Sequence, residues 1–577
     1  VTATFLTVHQ IRPLAGGPVD EGDALSATEF NLARVFDTVA AAVPDREVIV
    51  WRDRRLTFQE LADRSRRLGA CLHSRGLGVR TERSELAGHE SGQDHLGIYL
   101  YNGNEYIESM LGAFYARVAP FNVNYRYVED ELLYLLNDAA CRGLVYHECF
   151  APTLAAIRDR LPDLEVLIQV ADGSGHDLLP GAVDYETVLA ETGADQVAQL
   201  PEPSSDDLYI LYTGGTTGMP KGVLWRQHDI FMNAMGGRSI ITWQAVSSYD
   251  ELAATAAATE TPLKFMPLPP LMHGAAQWAS FIGFNGGHTL VWPDETRSLD
   301  PVDVWTTVER ERVTTITTVG DAVARPLLEE LERGDYDATS MIAVGNGGAA
   351  LTPTIKERFL AQLPHLIVSD GVGSSETGAQ MSHLSMSGAV ATGRFRPGPG
   401  AAVVSEDLGR VLEVGDDEIG WLAQTGWVPL GYLGDRDKTA RTFPVIGGVR
   451  YSVPGDRARY LDDGEIELLG RDSVTINSGG EKIFAEEVER AIAGHPAIHD
   501  VVVVGRASER WGQEVVALVE LAEGRTASAE DIVAHASATI ARYKLPKDVL
   551  FLDHIQRSPA GKADYRWAKA QVAPVPG

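Results

Sequence analysis

From Asn31 to about residue 395, short apolar runs alternate with amphipathic helical stretches, and that alternation limits the architectures open to this 577-residue chain. "NLARVFDTVAAAVPDREVIVW" reads as a helix, a Pro-Asp turn and a strand. "LTFQELADRSRRLGACLHSRGL" reads as an amphipathic helix opened by Thr57 as N-cap. "LGIYLYNGNEYIESMLGAFYARVAPFNVNYRY" gives strand, turn, helix, strand. "CRGLVYH", "LEVLIQV", "TLVWP", "TTITTVG" and "SMIAVGNGGAAL" continue the pattern. Strands separated by helices run mainly parallel and are covered by those helices.

The texture then changes. "GRVLEVGD", "GWLAQTG", "GVRYSVPGD" and "GEIELLG" are short alternating stretches punctuated by Gly and Asp, a β-rich pattern. After Gly470 comes a smaller unit of mixed helices ("EEVERAIAGH", "AEDIVAHASATIARY") and strands ("DVVVVG", "EVVALVEL", "DVLFLD"). The expected fold class is α/β. A loose tail (1–30) precedes a large domain (31–470) of helix-covered, mainly parallel sheets with a β-rich subdomain (about 395–470). A small α+β C-terminal domain (471–577) follows.

A net charge of −30, from 50 basic and 80 acidic residues, argues against a nucleic-acid partner or an anionic membrane surface. Cys71, Cys141 and Cys149 form no CxxC or zinc spacing and suit a reducing cytoplasm. The start lacks the basic-then-apolar order of a secretory signal, and no apolar run is long enough for a transmembrane segment. The expected location is cytoplasmic.

"LYTGGTTGMPKGV", Leu211–Val223, follows the strand-like "DLYILY". Successive backbone N–H groups in a glycine-rich turn form a concave anion site, hydroxyls add donors, and a lysine adds positive charge. A Walker P-loop needs Gly before its Lys and Ser/Thr after it. Here Lys221 stands between Pro220 and Gly222, so this is not the P-loop of a kinase or GTPase; the readings left are an anion-holding loop of another kind and a flexible surface turn.

The loop has companions in fixed order: "PLPPLMHG" with His273, "VGNGGAAL", "DGVGSSETG" with Glu376, "GYLGDRDKTARTF", "YSVPGDRA" with Asp456, "GRDSVTINSGGEKIFAEEVE" with Arg471, and "RSPAGK" with Lys562. Together they resemble the adenylate-forming superfamily of acyl-CoA synthetases, peptide-synthetase adenylation domains and firefly luciferase. The resemblance runs from about Asn31 to Lys569. It is strongest to actinobacterial fatty-acyl and steroid side-chain CoA synthetases.

That resemblance implies a two-step reaction. A small-molecule carboxylic acid attacks the α-phosphate of ATP, giving acyl-AMP and pyrophosphate. Coenzyme A then displaces AMP to form a thioester. Bringing two anions together demands positive charge, since electrostatic preorganisation is usually the largest catalytic contribution. The resemblance gives Lys562 the bridge between acyl carboxylate and α-phosphate. Glu376 would bind Mg²⁺, and Ser375 a phosphate or the AMP moiety. Thr213, Gly214, Gly215, Thr216, Thr217, Gly218 and Lys221 would hold the β- and γ-phosphates. Gly347, Gly348 and Ala349 would pass flat against the adenine. Asp456 would bind the ribose hydroxyls, and Arg471 would be a second ribose or phosphate contact. His273 lies in the segment resembling the gate to the acyl pocket, with Gly274 beside it suggesting close packing against a ligand. For the second step the small domain would be mobile, swinging Lys562 out and "NSGGEK" in, with Gly479 and Gly480 flanking the pantetheine chain.

Three positions depart from the family pattern. Ser473, after Asp472, stands at the usual hinge position, so the pivot is one of these two. Val372 stands where an adenine-stacking Tyr is common. Pro454 sits in the turn before Asp456. None removes a charged group. The competing readings are an acyl-AMP ligase serving a separate carrier protein, a luciferase-type oxygenase, and a non-catalytic nucleotide-binding sensor, which would have lost Lys562, Glu376 or Asp456. No carrier domain is expected in the fifteen residues after Lys562. The acid is a medium or long fatty acid or a steroid or bile-acid side chain. A homodimer is among the assemblies the pattern allows.

Overall fold

The computed structural model describes residues 28–213, 219–239, 242–478, 481–508, 511–557 and 561–572. Helix Leu32–Ala42 starts where the Asn31 side chain accepts from the N–H groups of Ala33 and Arg34. Helix Phe58–Ser74 starts at Thr57, which with Glu60 closes a capping box that satisfies two orphan donors reciprocally. This helix lies against Asn104–Tyr115 at a glycine contact. A Cβ on Gly69 would stand 2.7 Å from the carbonyl oxygen of Gly112.

One sheet has eight strands in the order Gly431–Tyr432, Lys221–Arg226, Leu208–Thr213, Ala119–Asn122, His95–Tyr99, Cys141–His147, Val166–Val170 and Ala182–Asp184. It is parallel from Leu208–Thr213 onward and antiparallel at its other edge. Helices cover the parallel strands, and Phe36, Phe58, Phe114, Trp225, Phe281 and Phe284 share one buried apolar cluster.

The second sheet has thirteen strands. Glu47–Trp51, Thr289–Trp292, Lys264–Pro267, Thr315–Thr318, Ala343–Gly347 and Ile367–Ser374 form its parallel block. The β-rich strands join directly onto that block. Gly378–Ser385 pairs antiparallel with Ile367–Ser374, and Arg394–Pro397, Ile466–Arg471, Asp456–Tyr460, Gly420–Gln424 and Ala401–Val404 follow in order. The antiparallel half therefore starts at Gly378 and belongs to the same sheet. Its "GRVLEVGD" stretch makes only an isolated bridge, Val404–Val411, because Arg410 pairs with Asp416 and Glu418 and closes a charged loop.

A third sheet contains Glu481–Ile483, Ile476–Ser478, Gly512–Leu521, Ile498–Ser508 and Asp548–Phe551, with helices Ala485–Ala493, Ala529–Ala536 and Tyr565–Gln571. The helix expected through Tyr543 stops at Ala536. Ser537 and Thr539 follow and bond back to the backbone of Ala534 and Ala536, the local competition that makes such residues poor helix interiors. Among the described residues no helix is long and apolar enough to cross a membrane.

Buried Asn122 ties the eight-stranded sheet to "PLPPLMHG". Its Nδ2 donates to the carbonyls of Tyr212 (2.9 Å) and Met272 (2.6 Å), and its Oδ1 accepts from the Tyr212 N–H (2.7 Å). Asn122→Ala strands three buried backbone groups, so it should destabilise by about 1–3 kcal/mol. Urea unfolding measures this, and an unchanged midpoint would refute the assignment.

Candidate active site

Strands Leu208–Thr213 and Lys221–Arg226 pair antiparallel with Thr213 opposite Lys221, so these two strands form a hairpin. Gly214, Gly215, Thr216, Thr217 and Gly218 lie outside the described residues, as do Gly479, Gly480 and most of the N-terminal tail. At the hairpin's base the Lys221 ammonium pairs with the Asp435 carboxylate. That hydrogen bond lowers the pKa of Asp435. Asp435 also caps helix Arg436–Thr442 through the Lys438 N–H, 3.0 Å away.

Ser375 and Glu376 occupy the turn where the thirteen-stranded sheet changes from parallel to antiparallel. The Trp225 indole N–H donates to the Ser375 carbonyl (2.9 Å), and the Ser452 hydroxyl donates to the Glu376 carbonyl (2.6 Å). Asn233 clamps the turn's far side, donating to Thr377 O and accepting from Ala379 N–H (2.7 Å). Gly378 is required there, with φ +65°, and a Cβ would stand 2.1 Å from Asn233 Oδ1. The Tyr432 hydroxyl donates to Glu376 Oε1 (2.8 Å). Burial, and then the Glu376 charge, raise the Tyr432 pKa, so the phenol stays a donor.

Strand Ala343–Gly347 delivers Gly347, Gly348 and Ala349 to the same cleft. Gly348 has φ +81°, and the Lys562 Cε is 3.9 Å from where its Cβ would stand. Asn346 fixes this loop, donating to Ala349 O and to Asp370 Oδ1 (both 3.0 Å) and accepting from the Gly320 N–H (2.7 Å).

Asp456 and Arg471 are cross-strand partners, with Arg471 Nε 3.1 Å from Asp456 Oδ1. Asp456 is the main cause of the raised Arg471 pKa. Lys562 reaches this group from the other side of the cleft. It is accessible to water yet walled by protein. Burial, and then Arg471, lower its pKa, while Glu376 and Asp456 oppose the shift.

His273 precedes helix Gly274–Asn285. Burial, and then the charges of Lys562 and Arg126, push its pKa to about 4, so it is neutral at physiological pH. Its Nε2 has no hydrogen-bond partner among the described residues. Gly274 is closely packed, but against protein: a Cβ would lie 2.6 Å from Leu211 Cδ2 and 3.3 Å from the Trp278 ring. Val372 half-buries against the apolar cluster of Met381 and Phe395.

The structure thus brings Lys562, Arg471, Asp456, Glu376, Gly348 and His273 around one cleft, with Lys221 at the base of the hairpin. Sequence reasoning assigned no role to Tyr432, Asp435, Trp225, Asn233 or Ser452. Tyr432 and Asp435 lie inside the quoted "GYLGDRDKTARTF", and that segment's position in the motif series was the available signal.

Residues 36–426 match the AMP-binding enzyme family, and residues 487–562 match the AMP-binding enzyme C-terminal domain. A medium-chain acyl-CoA ligase, Mig, of Mycobacterium avium is 59% identical over 550 residues, spanning 95% of this chain and 99% of that protein. The 3-oxocholest-4-en-26-oate–CoA ligase of Rhodococcus rhodochrous is 38% identical over 556 residues, spanning 94% and 96%. Among solved structures, the anthranilate CoA ligase AuaEII in complex with anthranoyl-AMP shares the fold. Its TM-score is 0.77 at 18% identity, over 94% of this chain and 98% of that one.

Glu486 Oε2 accepts the Arg471 N–H at 3.0 Å, joining the third sheet's first helix to the cleft. Burial, and then Asp456, raise its pKa to about 7. The folded state therefore holds its proton up to about pH 7 while the unfolded chain releases it near 4.5, the ordinary value for a glutamate. That contribution to stability is present at low pH and is lost as pH rises through 7. Glu486→Gln should flatten the pH dependence between those values and stabilise the protein at pH 8. Thermal unfolding across pH checks this, and a variant no more stable than wild type at pH 8 would contradict it.

Proposed function

This chain belongs to the AMP-binding enzyme family, and we propose that it is an ATP-dependent, AMP-forming acyl-CoA synthetase acting on medium-chain fatty acids in the cytoplasm. The observation that carries the reading is the convergence of Lys562, Arg471 and the carboxylates of Glu376 and Asp456 beside the Gly348 backbone, next to the phosphate hairpin. The extent and level of identity to the two curated ligases support the thioester-forming reaction.

In the first step the acid and the α-phosphate repel each other until a cation lies between them. Lys562 supplies it. Burial, and then Arg471, lower its pKa, and the carboxylates of Glu376 and Asp456 oppose that shift. Asp456 accepts from the ribose hydroxyls and is held in place by Arg471. Gly347, Gly348 and Ala349 present backbone to the adenine. Lys221 exchanges Asp435 for the β- and γ-phosphates. Ser375 lies in the same turn as Glu376 and contacts the AMP phosphate. Neutral His273 borders the acyl entrance without adding a charge that would hold the substrate carboxylate off Lys562.

Glu376 fits a Mg²⁺ role. Tyr432 occupies only one of its oxygens, and Mg²⁺ usually takes one or two protein carboxylates with phosphates and water completing the shell. When bound, the ion would neutralise phosphate charge.

For the second step residues 471–577 rotate about Asp472 or Ser473, removing Lys562 and bringing the 479–480 glycines to the pantetheine. Asp472 now accepts from Arg457 Nε at 3.0 Å, a bond this rotation must release.

Lys562→Ala should lower acyl-AMP formation by about a hundredfold or more, in line with loss of a group acting on developing charge. It should leave thioester formation from supplied acyl-AMP and coenzyme A near wild type. Wild-type protein would be given ATP, Mg²⁺, coenzyme A and acids from acetate to cholestenoic acid, with acyl-AMP and acyl-CoA followed by mass spectrometry. Acyl-CoA from medium-chain acids supports the proposal. Acyl-AMP without thioester would replace it with transfer to a carrier protein, and no product from any acid would refute it.

A further inference from the structure

Lys438 projects from the first turn of helix Arg436–Thr442, and its Nζ lies 4.1 Å above the centroid of the Tyr432 ring. The hydroxyl of that ring bonds Glu376. One tyrosine thus touches Lys438 with its face and the candidate metal ligand with its edge. On the other side, the Asp435 carboxylate that holds Lys221 also binds the Lys438 backbone N–H.

The ammonium is half-buried, yet among the described residues no carboxylate lies within ion-pair distance of it. Lys356, Lys482 and Lys544, in contrast, each hold a carboxylate. A π face offers a cation roughly 0.5–1 kcal/mol at a partly exposed site, less than a charge-assisted hydrogen bond does. The groups facing it are Lys221 and Arg441, which disfavour its charge, and Glu376 and Asp435, which favour it. Burial comes first and, with Lys221, lowers its pKa. A partly desolvated cation beside another cation and without an anion of its own is arranged for an anion that arrives from solution.

We propose that Lys438 is a second cationic contact, beside Lys221, for the polyphosphate of ATP and for the departing pyrophosphate. The proposal rests on the adenylating reading of the cleft and adds a binding residue to it. Lys438 lies between the base of the phosphate hairpin and Glu376, so the β- and γ-phosphates that Lys221 receives pass within its reach.

The test is titration calorimetry of magnesium pyrophosphate against wild-type protein and the Lys438→Ala, Lys438→Met and Lys438→Arg variants, with KM for ATP measured in parallel. Loss of a charge-assisted contact should weaken pyrophosphate binding and raise KM for ATP by about tenfold or more in the Ala and Met variants. Arg should stay within about threefold of wild type. Unfolding midpoints show whether each variant remains folded. Met keeps the stem packed on Tyr432, so Met behaving like wild type would mean a packing role and overturn the proposal. Unchanged pyrophosphate affinity in Ala would do the same. Wild-type protein that binds pyrophosphate with Lys438 dependence but makes no acyl-AMP from any acid would sustain this contact and overturn the synthetase reading. Wild-type protein that binds no pyrophosphate would overturn both.

Discussion

The ion pair between Arg471 and Asp456 governs the rest of the cleft. The two residues begin and end neighbouring strands inside the antiparallel block, directly across from each other. The Asp456 carboxylate is held in place by Arg471 Nε, 3.1 Å from its Oδ1. Arg471 in turn lowers the pKa of Lys562, while its backbone N–H holds Glu486 of the smaller sheet's first helix. An ion pair of this kind is weak evidence for stability, because removing two charges from water offsets most of their attraction. Its value lies in placement: Arg471 sets the Asp456 carboxylate through its side chain and joins the two structural units through its backbone N–H.

The location of that contact follows from the sheet. Parallel α/β sheets place ligands at the carboxyl ends of their strands. Here Ala343–Gly347 and Ile367–Ser374 deliver their carboxyl ends to the cleft as Gly348 and Glu376. The turn at Glu376 then reverses the chain into the antiparallel half, whose hydrogen-bonded strands bring Asp456 and Arg471 back to the same edge. A separate β-rich domain would need an interface to set that distance. Continuous strand pairing sets it through backbone geometry.

The charged and glycine residues of the cleft were legible because their chemistry is carried by residue type and local order. Thr57 was legible as a cap because its partner, Glu60, is three residues away. The supporting amides were not. Asn122 bonds Tyr212 and Met272, and Asn233 bonds Thr377 and Ala379, across separations of 90 to 150 residues. An isolated asparagine at a strand end or in a helix reads as a turn or a surface residue. Gly274 shows the opposite error. Its need for space was legible, but the neighbour was Leu211 of strand Leu208–Thr213, which only the fold reveals. The join between the parallel and antiparallel halves was hidden for a related reason. Alternating apolar residues identify a strand and give no information about which strand lies beside it.

The contacts between the small unit and the large one are of a kind that can be given up. Glu406 pairs with Lys482, with 56% and 47% of their side chains exposed, and Arg457 holds Asp472. Gly561, at φ +73°, approaches Val319 closely enough that a Cβ would stand 3.2 Å from its carbonyl oxygen. The exposed Glu406–Lys482 pair contributes at most about 1 kcal/mol, since water competes for both charges, whereas Arg457 is buried and only its Asp472 partner is open to water. The small unit keeps its own apolar core, with Ile476, Val488, Val503, Val519 and Ile532 buried together. Releasing it from the cleft therefore breaks polar contacts that water can replace and exposes little of that core. The Glu486 carboxyl is the exception, because it is held largely out of water against Arg471, and withdrawing it trades a desolvated acid for a hydrated one. That exchange favours release increasingly as pH rises from about 4.5 to the folded-state pKa of about 7, and no further above it, so the same group that joins the two units would also bias their separation.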